Sequence, residues 1–223
     1  MQQLGRPVRS NGKILAGLII LAWLLASCST AGTLLPIVSD ESLERLVKDE
    51  AAKIIAVSED KGHFSDYQIY ISDFPRKDIL GMSFGNRRIY ISHQLAKSAA
   101  AWSPHLWLLR QTLAHEIAHE TAGHARQSGS ASFNRPTLGR VVSSLDIGLP
   151  GNVALRNYSM ENELEADSKA LEYWHKLGWN CRIWVRILQD FEKHNYAGDA
   201  LHPTDLRLQQ AERGCPSENA GVT

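Results

Sequence analysis

The stretch His115-Glu116-Ile117-Ala118-His119 decides how this chain is read, because it sets two imidazoles and a carboxylate close together in a helical segment. Residues four apart on an α-helix differ by about 40° in azimuth, so His115 and His119 leave one face and can bind the same ion. Glu116 falls between them in projection and can reach a water held there without being a ligand. Ser103 and Pro104 suit the start of this helix and Gly123 its end, which predicts a helix over residues 104–123.

A catalytic metal centre needs a third protein ligand and keeps a further position open. Ala122 and Ala125 stand three and six residues beyond His119, which excludes the arrangement where a Gly and a third His follow there. His124 would lie about 140° from His119 on a continuous helix and is expected to be structural or solvent-facing. The remaining source is a carboxylate from a second helix, and Glu161-Asn162-Glu163-Leu164-Glu165-Ala166-Asp167 supplies several. Glu163 and Asp167 share a face, whereas Glu161 and Glu165 lie about 200° from Glu163. That face offers a ligand and a second carboxylate, and Asp167 could accept the ring N–H of His115 or His119 and fix its tautomer.

On these residues the chain resembles the gluzincin zinc metalloproteases of the HtpX and CAAX prenyl protease type. The resemblance rests on H-E-x-x-H at 115–119, on E-x-E-A-D-x-x-A at 163–170 followed by Leu177-Gly178-Trp179, and on His202-Pro203-Thr204. It covers most of residues 67–213. It implies an α+β fold, mostly helical, with a small antiparallel or mixed sheet beside the zinc-binding helix. It also implies one Zn²⁺ per chain on His115, His119 and Glu163. Glu116 is then the general base. His202, with Arg207 behind it, is expected to donate to the oxyanion, or else to occupy the open position and hold the enzyme inactive. Substrate peptides are expected to add a strand to the sheet edge near residues 81–91. The chain departs from the family pattern in having Arg207 only five residues after His202 and in carrying Leu80-Gly81-Met82 before the strand that enters the site.

The N-terminus reads separately. Arg6, Arg9 and Lys13 precede an unbroken small or apolar run from Ile14 to Ala26, with no acid among them. The run is too short to span a bilayer, which takes roughly 20 apolar residues, and has the layout of a secretory signal. It ends in Leu25-Ala26-Ser27-Cys28, which resembles the lipobox of bacterial lipoproteins, so lipid on Cys28 is expected to tether the chain to the membrane. Ser29 in place of Asp points to an outer-membrane anchor facing the periplasm. The expected organisation is a signal over 1–27, a lipidated tether over 28–38 and a metallopeptidase domain over 39–223. Cys181 and Cys215 remain as an even pair in an oxidising compartment, where a disulfide is expected.

Composition agrees with one globular domain of 223 residues in all, 43% hydrophobic, with 24 basic and 24 acidic side chains. The absence of a basic excess argues against a nucleic-acid partner, and loss of three basic leader residues makes the remainder acidic by three. Asp40 and its neighbours look like a helix start leading into Leu43, Leu46, Val47, Ile54 and Ile55 at helical spacing. Residues 67–72 and 88–92 read as strands, with turn signals at 73–75 and 81–86. Helices are expected over 94–101, 160–177, 181–194 and 203–213, and the tryptophans as core. Residues 126–157 form a long Gly-containing stretch, expected to hold a short helix near 141–145 and to act as a lid or binding loop. The functional expectation is a zinc endopeptidase of the cell envelope that degrades misfolded envelope polypeptides, with the envelope assembly machinery as a partner. Two other classes stand beside it: a non-catalytic chaperone or adaptor that keeps zinc for structure, and a zinc hydrolase of cell-wall peptides.

Overall fold

Helix α1 (Glu41–Ile55) starts where the sequence places it: Asp40 accepts from the backbone N–H of Ser42 and Leu43, both at 3.1 Å. These bonds satisfy donors that the first turn leaves without helical partners. A single 3₁₀ turn (Phe64–Asp66) then leads into β1 (Gln68–Ser72), β2 (Gly81–Ser83) and β3 (Arg88–Ser92). Five helices follow: α2 (His93–Ala101), α3 (Ser103–Ala122), α4 (Met160–Lys176), α5 (Cys181–Lys193) and α6 (Thr204–Gly214). This computed structural model describes residues 35–74, 76–125, 158–194 and 204–215. The expected signal segment, Cys28, the stretch 126–157 with its short helix, and His202 lie outside the described residues.

The fold is α+β, mostly helical, as the sequence implies. Its sheet is mixed: β3 is central, parallel to β1 and antiparallel to β2. The sequence shows β1 and β3 through their alternating Ile and Tyr, but reads 81–86 only as turn. Three residues are too few to display alternation, so β2 leaves no periodic signal. The expected tether is also too long. Val38 donates to Ile71 O at 2.8 Å, the Ser72 hydroxyl donates to Pro36 O at 2.6 Å, and Leu35 is 2% exposed, so residues 35–38 run against β1. Free polar groups on a sheet edge favour such pairing.

Helix α3 runs through the middle of the domain, packed by α1, α2, the sheet and α4. Every residue from Gln111 to Glu120 is buried, which explains why this segment shows no clean amphipathic stripe. Buried charges are tolerated when paired, so the acids and imidazoles here must have partners. Beside it, Trp107, Trp174, Trp179 and Trp184 make edge-on and tilted ring contacts with centroids 4.8–5.7 Å apart. The Arg110 guanidinium lies 4.3 Å from the Trp107 ring centroid and donates to the Glu50 carboxylate of α1 at 2.8 Å. Trp174 and Trp184 are fully buried as expected, while Trp102 is exposed. Cys181 and Cys215 form a disulfide that ties the end of α6 to the start of α5, with Cα atoms 5.6 Å apart. Among the described residues, no helix is long and apolar enough to cross a membrane.

Candidate metal centre

The four-residue spacing on α3 brings His115 Nε2 and His119 Nε2 to 3.0 Å of each other. Glu163, in the first turn of α4, points its Oε2 at both, 3.0 Å from His115 and 3.5 Å from His119. Ser159 fixes the start of α4 by accepting from the Asn162 N–H at 3.2 Å, which sets the azimuth of Glu163 one residue later. All three side chains are buried, and the group can hold a metal ion. Donors 2.0–2.2 Å from a tetrahedral ion stand roughly 3.3–3.5 Å apart; the Glu163–His119 separation matches this and the other two are shorter by about 0.3 Å.

The surrounding charges fit the same purpose. Asp167 accepts from His115 Nδ1 at 2.9 Å and receives the Arg207 guanidinium in two-pronged fashion, with Nη2 at 2.9 Å. Burial alone would raise the Asp167 carboxyl, but Arg207 and His115 outweigh it and hold it well below the usual carboxylate range. Burial also works against charge on His115, yet hydrogen bonds to Asp167 and Glu163 push that imidazole up to about 10. His119 goes the other way, pushed down to about 4 by burial, with Glu163 opposing and the neighbouring His115 assisting. Glu163 thus draws positive charge to the point where the two Nε2 atoms meet, and Asp167 supports it from the Nδ1 side of His115. A proton or a metal cation answers that demand.

Glu116 is 7% exposed and lies beside β2. A Cβ placed on Gly81 would come within 3.1 Å of Glu116 Cγ, so glycine is what lets the strand reach the acid. The bonds Ser92 N–H to Leu80 O and Phe84 N–H to Arg88 O put even-numbered residues of β2 in register with β3. Gly81 and Ser83 therefore turn their backbone groups away from β3, to the side where no further strand stands among the described residues.

Several residues that build the site carry no signal in the sequence reading. Glu120 accepts from the backbone N–H of Gly85 at 2.8 Å and of Arg87 at 2.9 Å, and from the Ser83 hydroxyl. Its carboxylate sits in a pocket of N–H groups made by three successive residues of positive φ, Gly85, Asn86 and Arg87. It thereby ties the β2–β3 turn to α3, the helix that carries His115 and His119. Gly85-Asn86 is a turn signal, but nothing local names its partner on α3. Tyr158 stacks on the His119 ring at 4.0 Å and donates to Ser83 O at 2.9 Å, joining a ligand to the sheet edge.

Two residues gain partners that the sequence did not give them. Arg207 grips Asp167 from α6 and so acts on His115 through that carboxylate, while its expected place behind His202 involves a residue outside the described ones. His124, expected to be structural or solvent-facing, is structural: it is fully buried, with Nδ1 2.9 Å from His119 Nδ1. An azimuth of about 140° holds only on a continuous helix, and Gly123, at φ 74°, ends α3 and turns the chain back. Glu161 and Glu165 stay outside the metal-binding group, as their azimuth implies. Compared with protein-family models and with curated proteins, the sequence matches none.

Proposed function

We propose that the chain is a zinc-dependent endopeptidase of the gluzincin type, anchored in the bacterial cell envelope by lipid on Cys28 and acting on unfolded polypeptides there. The observation that supports it most is the convergence of His115, His119 and Glu163 beside a buried Glu116 that lies against β2, the edge strand among the described residues. His115, His119 and Glu163 would hold the ion, a His₂Glu set suited to zinc. When bound, zinc supplies the Lewis acidity that polarises a peptide carbonyl and makes water a nucleophile near neutral pH.

This chain's own residues do the rest. Glu116 takes the proton of the attacking water on its carboxylate and returns it to the leaving amine nitrogen. Asp167, held ionised by Arg207, keeps the N–H of His115 at Nδ1 and its lone pair at Nε2. The outward backbone groups of Gly81 can pair with an extended substrate, while Ser83 O is already engaged by Tyr158. His202 is the proposed donor to the oxyanion. The disulfide between Cys181 and Cys215 suits an oxidising compartment such as the periplasm.

Glu116→Gln tests the reading. Zinc content should stay at one per chain, and cleavage of an unfolded protein substrate should fall by about 10² to 10⁴. Undiminished cleavage in the variant, or a zinc-loaded wild type that cleaves neither unfolded protein nor peptidoglycan, overturns the catalytic assignment. Digestion of peptidoglycan alone would move the substrate to cell-wall peptides, and incorporation of labelled palmitate that persists in Cys28→Ala would refute the anchor.

A further inference from the structure

His124 stands outside the expected ligand set, yet it is fully buried against it. Its Nδ1 lies 2.9 Å from His119 Nδ1 and its Nε2 lies 3.3 Å from Glu165 Oε2. Glu165 is the carboxylate whose azimuth points away from Glu163, and its side chain is 61% exposed. Three groups therefore form a line from solvent to the metal-binding nitrogen: Glu165, His124, His119.

The protons on this line have one consistent assignment. His119 Nε2 faces His115 and Glu163, so a metal-binding His119 carries its proton on Nδ1. Only one of two imidazole nitrogens in contact can be the donor, so His124 Nδ1 accepts. His124 then carries its own proton on Nε2, which is the nitrogen that faces Glu165. We propose that His124 is a positioning residue for the metal centre: as a neutral acceptor at Nδ1 it fixes the tautomer and ring plane of His119, with Glu165 fixing His124 in turn.

The two ligand histidines are thus supported in unlike ways. His115 leans on an anion that Arg207 neutralises, whereas His119 leans on a neutral ring relayed to a solvated carboxylate. A second buried anion here would add negative charge to a site that already holds Glu163, Asp167 and Glu116 against one Arg207. A histidine acceptor orients the ligand without that addition. The stacked Tyr158 ring covers a face of His119, and the Nδ1 contact opposes the flip about Cβ–Cγ that would exchange Nδ1 with Cδ2.

The inference rests on the metal-site reading, and the experiment separates the two. Zinc affinity is measured by chelator competition on the full-length protein and on His124→Asn, His124→Gln and His124→Leu, with the Co²⁺ absorption spectrum as a second readout. Asn places Oδ1 where His124 has Nδ1, Gln places its amide near the Nε2 position, and Leu fills the volume with no acceptor. Asn should stay within about threefold of wild type, while Gln and Leu lose roughly 10- to 100-fold, with altered Co²⁺ bands. Leu binding as tightly as wild type, or Asn losing as much as Leu, overturns the positioning role and leaves the metal site standing. A wild-type protein that binds neither Zn²⁺ nor Co²⁺ overturns both.

Discussion

Gly81→Ala places a methyl group 2.6 Å from Thr112 Cγ2, 3.1 Å from Glu116 Cγ and 3.3 Å from Glu116 Oε1. Carbon atoms rest at about 3.5–4.0 Å, so the closest contact is short by roughly 1 Å. Neither neighbour can retreat easily: Thr112 is 8% exposed with its hydroxyl donating to Leu108 O at 2.9 Å, and Glu116 is 7% exposed. Overpacking of this kind costs about 1–3 kcal/mol. For a domain of this size that lowers Tm by roughly 2–10 °C. The responsible atom can be named, because Thr112→Ser removes Cγ2 and keeps the hydroxyl. Alone, that change should cost about 0.5–1.5 kcal/mol for the lost methyl. In the double variant the new methyl enters the space vacated, so the two costs should fall short of their sum by about 1 kcal/mol or more. The assay is urea unfolding of the four proteins followed by fluorescence of the buried tryptophans. Strict additivity, or a Gly81→Ala protein as stable as wild type, would refute the close approach of β2 to α3. Restored stability in the double variant should leave turnover impaired, since the contact with Glu116 remains.

Arg207→Ala should destabilise the fold by about 3–5 kcal/mol in thermal melts, because it leaves the Asp167 carboxylate buried without its guanidinium; a change under about 1 kcal/mol would contradict the pairing. Reducing the disulfide, or replacing both Cys181 and Cys215 by Ala, should cost about 3–4 kcal/mol from the 34-residue span it closes, read as a fall in urea midpoint. Burial opposes ionisation of Glu59, but hydrogen bonds from Lys169 and Tyr173 bring its carboxyl down to about 2 from 4.5. Its contribution is therefore complete above pH 4.5 and lost as pH falls towards 2. With 47% of that side chain exposed, the loss is under about 1 kcal/mol. Stability measured at pH 5.5 and 2.5 should fall further in wild type than in Glu59→Gln, and equal losses would count against it.

What the sequence made legible was what lies within one helix. The four-residue spacing of His115 and His119, the shared face of Glu163 and Asp167, and the caps at Asp40 and Gly123 all follow from helical azimuth and local bonding. The disulfide was legible from parity once Cys28 was set apart. What escaped needs a partner far along the chain. Glu120 looks like one more acid until the N–H groups of Gly85 and Arg87 close on it, and Tyr158 acts through a ring on another helix. His124 is the structural histidine that was one of its two expected states, but its contact with His119 escaped, because the chain turns at Gly123 and helical azimuth no longer applies beyond it. The strand β2 is too short to announce itself, and its glycine matters for the space beside Glu116, which only the packed fold defines.

The donor triad draws on two helices that are distant in the chain, and under the proposed function this makes affinity for an ion a measure of tertiary docking as well as of coordination. The triad is assembled only in conformers where α3 and α4 are packed, so the apparent dissociation constant is the intrinsic one divided by the fraction so packed. A substitution among the buried tryptophans leaves that constant unchanged while the packed form predominates, then weakens binding in proportion once it does not. Saturating ion restores full occupancy to such a protein by drawing the helices together again. A chain that has lost Glu163 or His119 has no such reserve, and stoichiometry at saturation tells the two kinds of defect apart.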